Sequence, residues 1–362
     1  MKVPFINFDY EMETLGSKYE KLFLEHIHRG EFIGGDSVTS FENSLSTYLG
    51  TKNIISVGNG TDALIIGLLS LKLKKKEVIV PSFSFFATSE AIVQAGLVPI
   101  FVDIDYKDCN IDVSKIENKI TENTGAILPV HLFGNSSDMN SIISIAEKYD
   151  LMILEDVAQS FGTKYNNKHL GTLGDVGCFS FFPTKTLGAY GDGGAIATNN
   201  DEIAEYARML KNHGSKQKYI NEVFGFNSRL DSIQASVLSL KLDHIDTWIE
   251  KRILAGKYYD EKLSNIEGLK LIDNSNSTFN YYSIYILENK RDLFKNYLSE
   301  KNIANAIYYP KTLPSLPAHN SSEKFPISEK ICDEIISLPI WPGISSDELV
   351  YVTDSIAEYF NQ

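Results

Sequence analysis

The chain has 362 residues, 43% hydrophobic and 22% charged, with a formal net charge of −13; this is ordinary for a soluble protein, ample for two domains, and a poor match to nucleic acid as main partner, though a local basic pocket for phosphates stays open. Three scattered cysteines, Cys109, Cys178 and Cys332, suggest neither disulfides nor a metal cluster. The start lacks a basic segment followed by an apolar run, and no run of about 18 apolar residues occurs, so a cytoplasmic protein without secretory signal or membrane contact is expected.

From about residue 50, short apolar runs alternate with amphipathic stretches. The run 54–57 reads as a strand, and the spacing predicts a helix over 62–72. Between them, GNGTDA at 58–63 offers backbone N–H groups at a helix start with little side chain to block a phosphate. The same stretch fits GxGxxA, a dinucleotide fingerprint. That reading wants an acid at the end of the next strand, to bind a ribose. Strand 78–81 leads instead into Ser82-Phe83, which weakens a nicotinamide oxidoreductase; a plain tight turn is the bland alternative. PSFSFFAT at 81–88 brings aromatics to a second strand end, where a flat heteroaromatic ring could stack, although aromatics more often fill cores.

A helix follows over 87–95 with Gly96 as its stop, then strands 99–102 and 126–130, a helix over 139–148 and a strand over 151–154. That last strand, LMIL, delivers Asp156 to its carboxyl end, the edge at which open α/β sheets bind ligands. Alone, such an acid could equally cap a turn. Strand 178–182 runs into a Gly-dense loop carrying one lysine, Lys185. A buried ammonium is costly without a partner, but a lysine kept from water has a larger neutral fraction able to attack a carbonyl. A snorkelling lysine is the bland reading.

Strand 195–198 and a helix over 201–212, stopped by Gly214, close the rhythm, which predicts a largely parallel sheet covered by helices. One long helix is predicted from about 230 through Trp248. The tail from about 265, with Asn/Ser-rich loops, an aromatic run at 280–286 and many prolines, reads as a smaller α+β domain. The expected domains are therefore 1–245 and 246–362. No single motif decides the function. Together, a phosphate cradle, a stacking ring, an acid and a lysine at strand ends are what pyridoxal 5′-phosphate (PLP) requires.

The order GNGTDAL, PSFSFFAT, ILPVHLFG, LEDVAQSFG, GCFSFFPTKTLGAYGDGGA and GFNSRLDSIQA, spread over about 30–252, resembles the DegT/DnrJ/EryC1/StrS sugar aminotransferases. The resemblance implies a fold-type I PLP enzyme, an α/β fold with a mostly parallel sheet in the large domain and a smaller α+β C-terminal domain. It implies a homodimer with shared active sites. Lys185 would hold PLP as a Schiff base and Asp156 would face the pyridine nitrogen; both are the expected catalytic residues. Gln159 would lie near the ring hydroxyl and Phe85 would stack on the ring. Gly60, Thr61 and Ser180 would bind the phosphate, and Asn227 would reach the phosphate of the neighbouring subunit. Arg229, Tyr219 and Tyr308 are substrate candidates, and Lys216 and Lys218 further candidates for the nucleotide diphosphate.

Some relatives carry histidine at the lysine position and dehydrate instead; Lys185 favours transamination. Many relatives show His-Tyr-Pro where this chain has Tyr308-Tyr309-Pro310, so substrate contacts from that loop are open. GAYGDGGA, Lys218-Tyr219, NSRLD and the segment 242–248 resemble the branch acting on 3-keto sugars. The implied partners are a nucleotide-linked keto-sugar and L-glutamate as amino donor. A dTDP-3-keto-6-deoxyhexose is the first choice, a UDP-linked 3-keto sugar the nearest rival and a 4-keto sugar the next. A non-catalytic PLP-binding regulator is the rival from another class; no basic tail or appended DNA-binding segment supports it.

Overall fold

The computed structural model describes residues 1–361. Seven strands form one sheet in the spatial order Asn53–Val57, Gly194–Thr198, Val176–Ser180, Met152–Asp156, Thr124–Ile127, Glu77–Pro81 and Val98–Val102. Neighbours pair in parallel from Val98–Val102 through to Val176–Ser180, while Gly194–Thr198 runs antiparallel to both of its neighbours. The expected mostly parallel α/β sheet is what forms.

Side chains alternate between the faces of a strand, and here both faces are covered. Ile55, Val57, Val78, Val80 and Ile196 enter one core, together with Leu64 and Leu68 of the Gly60–Ser70 helix, Ile92 of Phe86–Gln94 and Ala207 of Asp201–Leu210. Ile54, Ile79, Ala195 and Ala197 enter a second core on the other face, with Phe41 and Leu45 of the Asp36–Leu49 helix, Ile142 of Met139–Tyr149 and Leu238 of Ser232–Leu242. This two-sided burial explains why the strands read as continuous apolar runs instead of alternating ones.

The tail builds a three-stranded antiparallel sheet, Leu269–Leu271, Tyr282–Ile286 and Ile335–Leu338. Helices Ile245–Leu263, Arg291–Glu300 and Ser346–Phe360 pack on it through Tyr259, Leu263, Phe294, Leu298, Val352 and Ile356. Val3 also belongs to this third core, and bridges to Ile303. No helix among the described residues is long and apolar enough to cross a membrane.

Three expectations need correction. The single helix from 230 through Trp248 is two helices, Ser232–Leu242 and Ile245–Leu263. Asp243 and His244 break it: the His244 N–H turns back to the Lys241 carbonyl at 3.0 Å, and His244 then serves as the N-cap residue of the second helix. The strand expected over 126–130 occupies Thr124–Ile127; Pro129 has no N–H to give a ladder, and beyond it only Val130 bridges to Asp156. The strand expected over 178–182 is Val176–Ser180; beyond it the Phe181 carbonyl takes the Ala189 N–H at 2.7 Å and the Phe182 carbonyl the Lys185 N–H at 2.8 Å, which folds the chain into a loop. The helices Asp9–Arg29 and Asp36–Leu49 were not foreseen.

Candidate active site

Asp156 ends its strand inside the protein, 4% exposed. Its Oδ2 accepts the Thr88 hydroxyl at 2.9 Å and its Oδ1 the Ala158 N–H at 3.1 Å. Thr88, on the Phe86–Gln94 helix, is itself 2.9 Å from the Ser84 hydroxyl. Burial raises the Asp156 carboxyl above the usual carboxylate range, against the pull of the Ala158 N–H, the Thr88 hydroxyl and the charge of Lys185. A carboxylate has roughly four lone-pair sites, so acceptor capacity remains for a cationic N–H.

The neighbouring Glu155 points the other way and is fully buried. It accepts the N–H groups of Gly171, Leu173 and Gly174, each at 2.8 Å, and contacts His131 Nε2 at 3.0 Å. His131 Nδ1 accepts the Ser137 N–H at 3.1 Å, so the ring proton sits on Nε2, towards Glu155.

Lys185 lies on the loop after the Val176–Ser180 strand, in a turn closed by its N–H on the Phe182 carbonyl at 2.8 Å. It is half-buried. Its Nζ is 5.7 Å from the centre of the Tyr281 ring, and its charge reaches Asp156.

The Gly60–Ser70 helix starts beside this loop. The Asn59 side chain caps the Asp62 N–H at 2.8 Å and the Asn59 carbonyl takes the Ala63 N–H, which leaves the N–H groups of Gly60 and Thr61 without helical partners. A Cβ on Gly60 would stand 2.7 Å from the Ser180 Cβ. Glycine is thus required for Ser180 to close on the helix start. Asp62 is turned to the Ser228 hydroxyl at 2.6 Å, which in turn takes the Gly58 N–H at 2.9 Å. Ser228 therefore carries its exposed neighbours, Asn227 and Arg229, to the rim of the cradle.

Gln159 is buried, with Oε1 on the Phe133 N–H at 3.1 Å and Nε2 on the Tyr309 hydroxyl at 2.8 Å. Phe85 is 58% exposed, 6.0 Å from the Tyr309 ring, rather than a core residue. The Tyr308 ring packs against Tyr281, tilted at 44° with centres 4.7 Å apart. Tyr219 is 86% exposed, beyond the packed cluster, on the segment of the short strands Ser215–Gln217 and Ile220–Asn221. Lys218 lies over its ring at 5.1 Å, and Lys216 pairs with Glu205 at 2.6 Å.

The structure thus gathers Lys185, Asp156, Gln159, Gly60, Thr61, Ser180 and Tyr308 at the carboxyl edge of the sheet. Asn227 and Arg229 stand at the rim, and Tyr219 stands apart. Thr88, Asn280, Tyr281 and Tyr309 were not singled out. Thr88 lay within the PSFSFFAT motif and the others within or beside noted aromatic runs, but only the fold brings them to the lysine. A roomier cavity of about 630 Å3 lies elsewhere, between residues 162–164, the Ile245–Leu263 helix and residues 271–279, and contains none of these groups.

The arrangement suits PLP. The free N–H pair at a helix start, against which Ser180 packs closely, matches a phosphate. The buried carboxyl with spare lone pairs matches a protonated pyridine nitrogen. Lys185, on the loop that follows Ser180, offers an amine.

The DegT/DnrJ/EryC1/StrS aminotransferase family profile matches residues 14–357. A protein of Geobacillus stearothermophilus named pleiotropic regulatory protein is 40% identical over 99% of each chain. The dTDP-3-amino-3,6-dideoxy-alpha-D-galactopyranose transaminase of Aneurinibacillus thermoaerophilus is also 40% identical, again over 99% of each chain. The crystal structure of S. venezuelae DesV in complex with a ketimine intermediate superposes with a TM-score of 0.96 at 32% identity, covering 100% of this chain and 99% of that one.

Proposed function

Since this chain belongs to the DegT/DnrJ/EryC1/StrS aminotransferase family, and is therefore a PLP-dependent sugar-nucleotide aminotransferase, we propose that it moves the amino group of L-glutamate to carbon 3 of a dTDP-3-keto-6-deoxyhexose, giving a dTDP-3-amino-3,6-dideoxyhexose. One observation carries the reading: the buried Asp156 ends its strand at the same sheet edge from which the Lys185 loop leaves, beside an open helix start. The choice of a 3-keto acceptor rests on the motifs GAYGDGGA and NSRLD.

PLP supplies an aldehyde that captures amines and a ring that accepts electrons. The protein's own groups do the rest. The N–H groups of Gly60 and Thr61 and the Ser180 hydroxyl hold the phosphate. Asp156, as a carboxylate, keeps a proton on the pyridine nitrogen, and Thr88 and Ala158 keep Asp156 aimed. Gln159, braced by Phe133 and Tyr309, borders the ring, and Phe85 has an exposed face on which the ring can lie. Lys185 Nζ would hold the cofactor aldehyde between turnovers and, once freed by the amino donor, would carry the donor's α-proton to that aldehyde carbon; in the second half-reaction it would move a proton from that carbon to carbon 3 of the sugar. Hydrolysis releases the keto acid, the keto-sugar enters, and the steps run in reverse.

Following the family resemblance, Asn227 completes the phosphate pocket of a partner subunit, and Arg229 is a candidate to meet the donor carboxylate or the sugar nucleotide. The homodimer follows the family resemblance, and the adjacent exposed pair Phe32 and Ile33 is compatible with a covered face there.

The test offers the purified enzyme glutamate with 3-keto and 4-keto sugars on dTDP and on UDP, and reads the products by mass spectrometry. The 3-amino dTDP-sugar should form fastest, and Lys185→Ala should form none. A preference for the 4-keto or the UDP sugar overturns the substrate assignment. PLP binding without amino transfer to any of them points instead to a regulator, the role that the name of the Geobacillus relative suggests.

A further inference from the structure

The Lys185 loop is gripped from the C-terminal part of the chain by two consecutive residues. Thr186 donates both its N–H and its hydroxyl to Asn280 Oδ1, at 3.0 and 3.1 Å. On the other flank, the Thr184 hydroxyl lies 3.5 Å from the Tyr281 hydroxyl, and the Tyr281 ring faces Lys185 Nζ at 5.7 Å. Both neighbours of the lysine are thus tied to residues that lead into the Tyr282–Ile286 strand.

The orientation of the Asn280 amide is fixed. A backbone N–H can only donate, so Asn280 must turn its oxygen to Thr186. Its Nδ2 is then left buried with no partner, on a residue 1% exposed. An orphaned buried donor is destabilising, so Asn280 holds its two bonds to Thr186 at a cost.

The segment that carries Asn280 is itself clamped. Arg252, 4% exposed, donates from Nη1 to the carbonyls of Phe279, Asn280 and Ile340 at 3.3, 3.5 and 3.3 Å. Gly256, one turn further along the same helix, lets the Phe279 ring approach its backbone, since a Cβ there would be 2.6 Å from the ring. Asn280 is therefore a fixed post, and the lysine loop hangs from it.

We propose that Asn280 is a positioning residue for Lys185: by holding Thr186 it sets the arc through which the lysine Nζ moves between the cofactor and the donor's α-proton. The proposal rests on the reading of Lys185 as the cofactor-bearing lysine. Asn280 touches neither substrate nor cofactor in this account; it acts through Thr186.

The test uses holoenzyme with Asn280→Leu, which keeps the size and removes the acceptor. Thr186→Val removes the hydroxyl bond from the other side, and Thr186→Ser keeps it. Borohydride reduction of the wild type followed by peptide mapping comes first. Absence of label on Lys185 overturns the function proposed above and this inference with it.

With Lys185 labelled, Asn280→Leu should shift the pH midpoint of the lysine-linked absorbance band by roughly half a unit or more and lower kcat about tenfold. KM for glutamate should stay within about threefold, the pattern of a lost transition-state interaction. The cofactor-free variant should melt at or a few degrees below cofactor-free wild type: the orphaned Nδ2 is gone, but the buried Thr186 N–H and hydroxyl lose their acceptor. Thr186→Val should move the same readouts less, and Thr186→Ser should stay near wild type. If absorbance midpoint and kcat remain at wild-type values, or if kcat falls only in step with melting temperature, the proposal fails. Should Asn280→Leu not fold, the contrast between Thr186→Val and Thr186→Ser decides on the same readouts.

Discussion

Asp156 shows how a single residue can be held under strain until a ligand relieves it. Burial is the leading cause that raises its pKa, and two hydrogen bonds and the nearby Lys185 charge only partly oppose it. A carboxyl whose folded-state pKa is raised binds its proton more readily folded than unfolded. Stability is then fully present below the unfolded value and declines as pH rises through the window up to the raised value. Asp156→Asn removes that decline, while the amide can still pair with Thr88 and with Ala158. The cofactor-free variant should therefore melt above cofactor-free wild type at about pH 7, with the gap closing towards about pH 4. With PLP bound the order should reverse, and kcat should fall on the order of a hundredfold, because the pyridine nitrogen has lost its counter-charge. Melting curves with and without cofactor across pH check the first part, and a cofactor-free wild type that is the more stable at pH 7 contradicts it. Lys185 and Asp156 were legible in the sequence because each follows an apolar strand that would otherwise shun charge. Thr88 and Asn280 were not, since their meaning depends on partners 68 and 94 residues away.

At the level of elements, the sequence disclosed buried strands well and helix boundaries poorly. A strand covered on both faces is a run of Val, Ile and Phe, which is visible without context. The Asp9–Arg29 helix buries only Leu15, Tyr19 and His26, too narrow a stripe to stand out. The break at Asp243 and His244 escaped notice because apolar residues continue on both sides of it. The strand that carries Asp156 is also anchored from behind, through Glu155. That carboxylate has His131 on one side and three N–H groups of residues 171–174 on the others. Every one of these partners donates, so an amide at this position would turn its own NH2 towards a donor. Glu155→Gln should then cost nearly as much as Glu155→Ala, each on the order of 3 kcal/mol, as measured by urea unfolding. A Gln variant within about 0.5 kcal/mol of wild type would mean that the network tolerates a second donor.

For the whole molecule, composition and periodicity said nothing of which surface is covered in solution. Phe32 and Ile33 are exposed and lie beside Asp231 and Ser232, a proximity visible only in three dimensions. Asn227 and Arg229, a few residues earlier, are exposed too, tied to the cradle through Ser228. If Asn227 serves the partner's site, the sites are composite, and complementation reveals it. Lys185→Ala and Asn227→Ala homodimers should each be nearly inactive. In a heterodimer of the two, one site carries both defects and the other carries neither. After subunit exchange of an equal mixture, about half of the dimers are mixed, so activity should return to roughly a quarter of wild type per site. If Asn227 acts within its own subunit, each site in the mixture keeps one defect and mixing restores nothing. Sedimentation of the mixture, showing dimers throughout, separates that result from a failure to exchange when one variant carries a mass tag. The arrangement also predicts a concentration dependence: an enzyme whose phosphate pocket needs a second chain should lose specific activity on dilution below its dimer dissociation constant, and regain it when the inactive Lys185→Ala chain is added as a donor of Asn227.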